Sequence, residues 1–367
     1  MMEQIRILHF VGKMHRGGIE TLLMCIYRKL DRDKIQFDFL LTTEEPGYYD
    51  EEIKKLGGRL YYISSRREHY FKSRKELYAI LCDHPEIKAV QLHMSSCSYI
   101  DPLIVAKKAG VPCRIAHAHN IKCAGKLRNL VHRINRKKIK RYATLYLACS
   151  NDAGNWMFLP EKWKKGILIK NGIESKKYIF NMQKRKNIRT ILKINKDEFV
   201  IGYVGRFTEQ KNPMFICEVF KEVKQKRNNV KLLLVGDGNM HNQMDEFFER
   251  EFLKDDVIYT GIVENVEDYM QAMDCLVLPS LFEGLGIVAI EAQASGLPTL
   301  LSDKVPKEAV ITKLAKILTI DNGIECWVEY IINTPIIKRK NMQQEIINAG
   351  YDIEMTAKRL SEIYLNI

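Results

Sequence analysis

The chain has 367 residues, 46% hydrophobic and 28% charged, a balance that excludes a disordered chain and leaves room for two domains of ordinary size. Its nine cysteines are scattered and lack CxxC spacing, which excludes a disulfide framework and a cysteine-based zinc site as organising features. The formal net charge of +13 asks for an acidic partner: nucleic acid, a phospholipid surface or an anionic substrate.

The N-terminal segment reads as a strand carrying charges rather than a signal peptide, and no apolar run approaches the length of a membrane span. A soluble protein of a reducing compartment is expected. Ile5–Val11 reads as a buried first strand. It opens into a loop holding Gly17, Gly18 and Glu20, and Thr21–Leu30 follows as an amphipathic helix. Strand, glycine loop and helix open a doubly wound α/β domain, whose ligands gather at the C-terminal strand ends. Neither the dinucleotide fingerprint GxGxxG nor the P-loop GxxxxGK[ST] is present. Further strands are expected at Phe37–Leu41, Leu60–Ile63 and Ala89–His93, and another runs from Val111 to His117, His119 and Asn120. The spacing of the two histidines is read as setting them on opposite faces, with separate roles. Metal binding by both would need further ligands.

No acidic residue occurs from Pro102 to Asn151. Within that stretch Lys122–Tyr142 reads as a helix whose Leu127, Leu130, Val131, Ile134 and Ile139 share a face ringed by cations, among them Arg136, Lys137, Lys138, Lys140 and Arg141. Leu145–Cys149 and Gly166–Ile169 are the last strands expected of this domain. Ser175–Lys196 is polar and basic without a long apolar face, and reads as a linker.

A second α/β series starts with the strand Phe199–Val204, followed at once by Arg206 and Lys211. Two cations at a strand end can neutralise a departing diphosphate. Helix Met214–Lys226, strand Val230–Val235 with Gly236 after it, strand Val257–Tyr259 and helix Val266–Met273 continue the rhythm of parallel sheets. Strand Cys275–Leu278 then leads through Glu283, Gly284, Leu285 and Gly286 into a helix, Ile287–Ala294, stopped by Gly296 and Pro298. A helix N-terminus beside glycines offers N–H groups to phosphate. Eight residues of helix span roughly 12 Å, which suits Glu283 at a sugar, the turn amides at a pyrophosphate and Glu291 at a ribose. No DxD motif stands at a strand end, which is consistent with a metal-free site. Ile353–Tyr364 closes the chain as an amphipathic helix.

Taken together, Glu283-x7-Glu291 with Pro279-Ser280 before it and Glu-Ala-x-Ala-x-Gly-x-Pro from Glu291 to Pro298, Gly17-Gly18-x-Glu20, and Gly205-Arg206-x4-Lys211-Asn212 resemble the retaining glycosyltransferases of family 4, of the GT-B fold. The likeness covers nearly the whole chain and is sharpest in its second half; the His-Ala-His-Asn of the first half looks most like capsule and exopolysaccharide members. One departure is Glu174, where the family usually carries Asp after Asn171-Gly172.

The resemblance implies an α/β protein of two Rossmann-like doubly wound domains facing across a cleft. Residues 1–174 would hold the acceptor and 175–350 the nucleotide-sugar, while 351–367 would form a helix crossing back to the first domain. It implies metal-independent retaining transfer from a nucleoside-diphosphate sugar, a UDP-sugar being expected, with no cofactor. His117, Glu283, Arg206 and Lys211 would be catalytic. Gly17, Gly18, Arg206, Lys211, Gly236, Glu283, Gly284, Leu285, Gly286 and Glu291 would bind the donor. His117, then His119, with Asn120, would face the acceptor, a saccharide or lipid-linked saccharide of bacterial surface polysaccharide synthesis. The expected location is the cytoplasm, peripheral on the anionic inner-membrane surface through Arg136, Lys137, Lys138, Lys140 and Arg141. Two rivals remain: a GT-B sugar-nucleotide epimerase, and a basic nucleic-acid-binding protein, which the lack of aromatics among the cations opposes. No nucleic-acid partner is expected.

Overall fold

A computed structural model describes residues 4–15, 17–123 and 125–367. The chain forms two compact units, one of residues 1–173 with 352–367 and the other of residues 174–351. The first holds a seven-stranded sheet in the order β3-β2-β1-β4-β5-β6-β7. Its strands are β1 (Ile5–Gly12), β2 (Ile35–Leu41), β3 (Leu60–Tyr62), β4 (Ile87–Met94), β5 (Cys113–Ala118), β6 (Leu145–Ala148) and β7 (Ile167–Leu168). Every pairing is parallel, so each crossover lays a helix on a face and the strands bury both sides. One face packs Ile7, Phe37, Phe39, Ile115 and Leu147 with Ile353, Leu360 and Tyr364 of the terminal helix Ile353–Leu365. Leu8, Leu40 and Val90 meet Leu77, Leu81 and Val105 on the other.

The second unit has a six-stranded parallel sheet, β10-β9-β8-β11-β12-β13. Its strands are β8 (Phe199–Val204), β9 (Val230–Val235), β10 (Val257–Gly261), β11 (Cys275–Leu278), β12 (Thr299–Ser302) and β13 (Ala315–Leu318). The four-residue strands β12 and β13, too short to show alternation, extend the sheet beyond the sequence expectation. Phe199, Ile201, Tyr203, Phe220, Leu232 and Trp327 fill one face. Strand order reverses between β1 and β4 in the first sheet and between β8 and β11 in the second, and crevices open at such points.

The expected linker is a correction. Ser175–Tyr178 and Met182–Ile191 are helices. The second buries arginines rather than an apolar stripe: Arg185 Nη2 lies 2.7 Å and Arg189 Nη1 3.3 Å from the Asp274 carboxylate. Asp274 also accepts the Val200 N–H at 2.9 Å. Ion pairs and carbonyl contacts meet these buried charges except at Arg189 Nε, so the segment joins the fold with little apolar signal.

Candidate active site

Pairing of β8 with β11 sets the loops that follow them side by side, and side chains lace the two together. Gln210 Nε2 donates to the Phe282 carbonyl at 3.1 Å, Asn212 Nδ2 to the Pro279 carbonyl at 3.2 Å, and the Leu281 N–H to the Gln210 carbonyl at 2.9 Å. Gly236 follows β9 so closely that a Cβ there would lie 2.1 Å from the Gly205 carbonyl oxygen, a packing that admits glycine alone.

Lys211 and Glu283 meet at the centre of this arrangement. Lys211 Nζ lies 2.5 Å from Glu283 Oε1, and Ser280 Oγ donates to the same oxygen at 2.7 Å. Both charges are largely withdrawn from water, with side-chain exposures of 17% and 8%. Arg206, in the same loop as Lys211, is exposed, with no side-chain hydrogen bond among the described residues. Gly286 then takes a left-handed φ of 82° and opens the helix Ile287–Ala294 without a side-chain cap. The Ala289 N–H turns back onto the Gly286 carbonyl at 2.9 Å, so the amides of Ile287 and Val288 and the dipole are left to an anion. Leu285 is buried, so any ligand contact from it would come through its backbone. Glu291 lies within that helix and accepts a hydrogen bond from Tyr178; burial pushes its carboxyl up to about 7, and nearby Glu267 adds to the rise. Tyr178 comes from the segment expected to be a linker, so its role was hidden in the sequence.

Arg206, Lys211, Gly236, Glu283, Gly284, Leu285, Gly286 and Glu291 all belong to the second unit. Gly17 and Gly18 belong to the first, where Gly17 precedes the helix Gly18–Tyr27 after β1. His117, His119 and Asn120 are also in the first unit, and there the expectation of opposite faces is wrong. Side chains two apart on a strand share a face, and the rings of His117 and His119 have centroids 4.1 Å apart. Register places His93 of β4 directly beside His117. His9 joins from β1, its Nδ1 3.0 Å from His93 Nε2, while His93 Nδ1 is 2.9 Å from His119 Nε2. Burial depresses His9 and His119 to about 3 and holds His93 and His117 well below the usual imidazole range. His9 and His93 could not be read as partners because strand register, not sequence spacing, unites them. Asn120 turns its side chain onto the Ile121 N–H at 2.9 Å.

The basic helix is observed as Lys126–Lys138. Buried His132 anchors it, stacked on Trp156 and accepting the Cys97 N–H at 3.0 Å. Leu127, Leu130 and Ile134 turn outward with exposures of 75%, 55% and 46%. Lys137, Lys138, Lys140 and Arg141 are exposed. Arg136 is a correction to the expected membrane set: its Nη2 donates to the Asn155 and Phe158 carbonyls at 2.7 and 2.6 Å, so it ties off a neighbouring helix end. Among the described residues no helix is long and apolar enough to cross a membrane.

Residues 184–352, which contain the Lys211–Glu283 pair, match the family model described as glycosyl transferases group 1. EpsF of Bacillus subtilis (strain 168), named as a glycosyltransferase, is 33% identical over 98% of this chain and 96% of its own. The Escherichia coli UDP-Gal:alpha-D-GlcNAc-diphosphoundecaprenol alpha-1,3-galactosyltransferase is 25% identical over 99% of this chain and 97% of its own. Among solved structures, Anabaena HepE in complex with UDP and glucose superposes with a TM-score of 0.79 at 16% identity, covering 99% of this chain and 100% of that one. Two parallel α/β units of the GT-B kind, the laced loops at a sheet's switch point and a relative matching end to end agree: the chain belongs to the group 1 glycosyltransferase family.

Proposed function

We propose that the protein transfers a sugar, with retention of anomeric configuration, from a UDP-sugar to a saccharide or lipid-linked saccharide acceptor in bacterial surface polysaccharide synthesis. The observation that carries this is the Lys211–Glu283 pair beside the uncapped N-terminus of Ile287–Ala294. A diphosphate arriving there draws Lys211 from its carboxylate partner and gains exposed Arg206 and the helix amides as further donors. Glu283, released, accepts from the hydroxyls of the sugar. As the bond from the anomeric carbon to the diphosphate oxygen breaks, charge on that oxygen is met by donors already in place. The acceptor hydroxyl forms the new bond on the face the diphosphate leaves, and its proton passes to the departing phosphate. No covalent sugar–enzyme intermediate and no metal at the phosphates enter this scheme, and Glu291 takes the ribose hydroxyls. We assign the acceptor to the first unit, with His117, His119 and Asn120 on that side. The relatives support the substrate classes: HepE is described with UDP and glucose, and the Escherichia coli enzyme by its name acts on a diphosphoundecaprenol-linked sugar.

A thermal-shift screen against UDP-, GDP- and ADP-sugars tests the donor, a rise confined to UDP-sugars being expected. Incubating the hit with a lipid-linked saccharide should then release UDP and yield a product of unchanged anomeric configuration by NMR. An isomerised donor with no transfer would favour the epimerase reading instead.

The exposed Leu127, Leu130 and Ile134 among Lys137, Lys138, Lys140 and Arg141 support a second element of the proposal: peripheral attachment to an anionic membrane on its cytoplasmic face. A helix with an apolar stripe between cations lies in the lipid interface.

A further inference from the structure

We propose that His93, His117 and His119 form a binding site for a divalent transition cation of the zinc class, with His9 and Gln91 holding the rings in register. One nitrogen from each of the three lies within 4.8 Å of the others. Tetrahedral coordination at Zn–N distances of about 2.0–2.1 Å sets ligand nitrogens roughly 3.3 Å apart, so small ring rotations suffice. The His93 Nδ1 to His119 Nε2 contact of 2.9 Å is the one the cation would replace.

The tautomers can be arranged for it. If His93 donates its Nε2–H to His9 Nδ1 across 3.0 Å, its Nδ1 lone pair is free. His117 Nδ1 lies 3.0 Å from the Gln91 amide, which also meets Tyr364 Oη at 2.7 Å. With that amide turned end for end, its oxygen accepts His117 Nδ1–H and its NH2 donates to Tyr364 Oη. His117 Nε2 is then a ligand. Outer partners of this kind are the usual means of fixing a metal-bound imidazole. Three ring nitrogens of the cluster, His9 Nε2, His117 Nε2 and His119 Nδ1, are buried without a hydrogen-bond partner among the described residues. Buried polar groups are ordinarily paired, and a cation would satisfy the one on His117 directly.

Neutral imidazoles without a carboxylate favour zinc, copper or nickel over magnesium or calcium. His93 and His119 keep part of their surface open to solvent, which leaves an entry path and a fourth coordination position for water. The cluster sits at the switch point of β1 and β4, where ligands collect in such sheets. The acceptor-side reading bears only on what the cation does; whether it binds depends on the first unit alone, independently of the donor chemistry.

The test uses the untagged full chain, stripped with chelator and titrated with Co(II) and Zn(II). Retention of about one equivalent after desalting, with the visible d–d bands of a four-coordinate Co(II) site, is expected. His93→Gln and His119→Gln should abolish those bands, and Gln91→Leu should weaken binding about 10–100-fold. His119→Gln, at a half-open strand end, guards against loss of folding in the others, with circular dichroism as the check. No retained metal, or equal retention by the folded His119→Gln protein, overturns the site. UDP-sugar thermal shifts measured on the same stripped protein report the donor reading separately.

Discussion

Lys211 and Arg206 sit in the same loop yet differ in what their loss should do. Arg206 is exposed, so Arg206→Ala should leave the melting temperature unchanged while turnover falls by about 10²–10³ as a preorganised donor disappears. Lys211→Ala should cost similar activity, but it also strands Glu283, whose side chain is 8% exposed. Removing one partner of such a buried pair costs on the order of 3 kcal/mol. Steady-state rates beside thermal melts separate the two, and near-normal turnover in folded Arg206→Ala would discard its phosphate role. Glu291 supplies a pH dependence. Its folded pKa of about 7 lies above the ordinary carboxyl value of 4.5, so between these the folded state holds more protons than the unfolded one. Its contribution to stability therefore falls as pH rises through that window. Glu291→Gln should flatten this slope, seen as a variant that gains melting temperature over the parent between about pH 5 and about pH 8. Ribose hydroxyls need the ionised form, so UDP affinity of the parent should climb across pH 7 and that of Glu291→Gln should not; parallel pH curves would leave Glu291 a helix residue only.

At the scale of single elements, the basic helix shows how much the sequence can and cannot tell. Its periodicity gave a helix with Leu127, Leu130 and Ile134 in a stripe among cations, but Ile139, expected on the same face, lies past the helix end in a 3-10 turn and is buried. It could not show that Leu127, Leu130 and Ile134 face outward while His132 and Arg136 face in, because burial there runs through stacking and carbonyl contacts rather than aliphatic packing. The helix Met182–Ile191 was lost for the same reason, its inward face being Arg185 and Arg189 on Asp274. Elements whose buried face is aliphatic, such as Phe199–Val204 and Ile287–Ala294, were readable to the residue. For membrane attachment, each cation near an anionic surface adds about 1 kcal/mol, an attraction that salt screens. Binding to anionic vesicles should therefore fall steeply with ionic strength. Replacing Lys137, Lys138, Lys140 and Arg141 by Gln should abolish it, as should Ser at Leu127, Leu130 and Ile134, without change in UDP affinity; Arg136 is kept because it holds Asn155 and Phe158. Undiminished vesicle binding by both variants would rule this helix out as the attachment point.

For the molecule as a whole, the second unit was legible because its motifs are contiguous: strand, charged or glycine-bearing loop, helix. The histidine cluster was not, since it draws on three strands whose register no spacing reveals and on a glutamine fixed by the far end of the chain. That far end carries the last prediction. The terminal helix Ile353–Leu365 belongs to the first unit, where Ile353, Leu360 and Tyr364 enter its core, Ile353 N–H donates to the Ile173 carbonyl at 2.9 Å and Tyr364 reaches Gln91. Burying each large side chain is worth about 1.5–3 kcal/mol, so the three together rival the 5–15 kcal/mol that holds an ordinary domain folded. The second unit takes nothing from this helix for its own core. A chain ended after Tyr351 should therefore lose the first unit's unfolding transition while keeping that of the second, and a fragment of residues 174–351 should fold alone and bind UDP. Calorimetry of the truncated chain shows which holds: two intact transitions would mean that the first unit does not depend on its returning helix, and a single joint collapse would mean that the two units are not separate folding bodies.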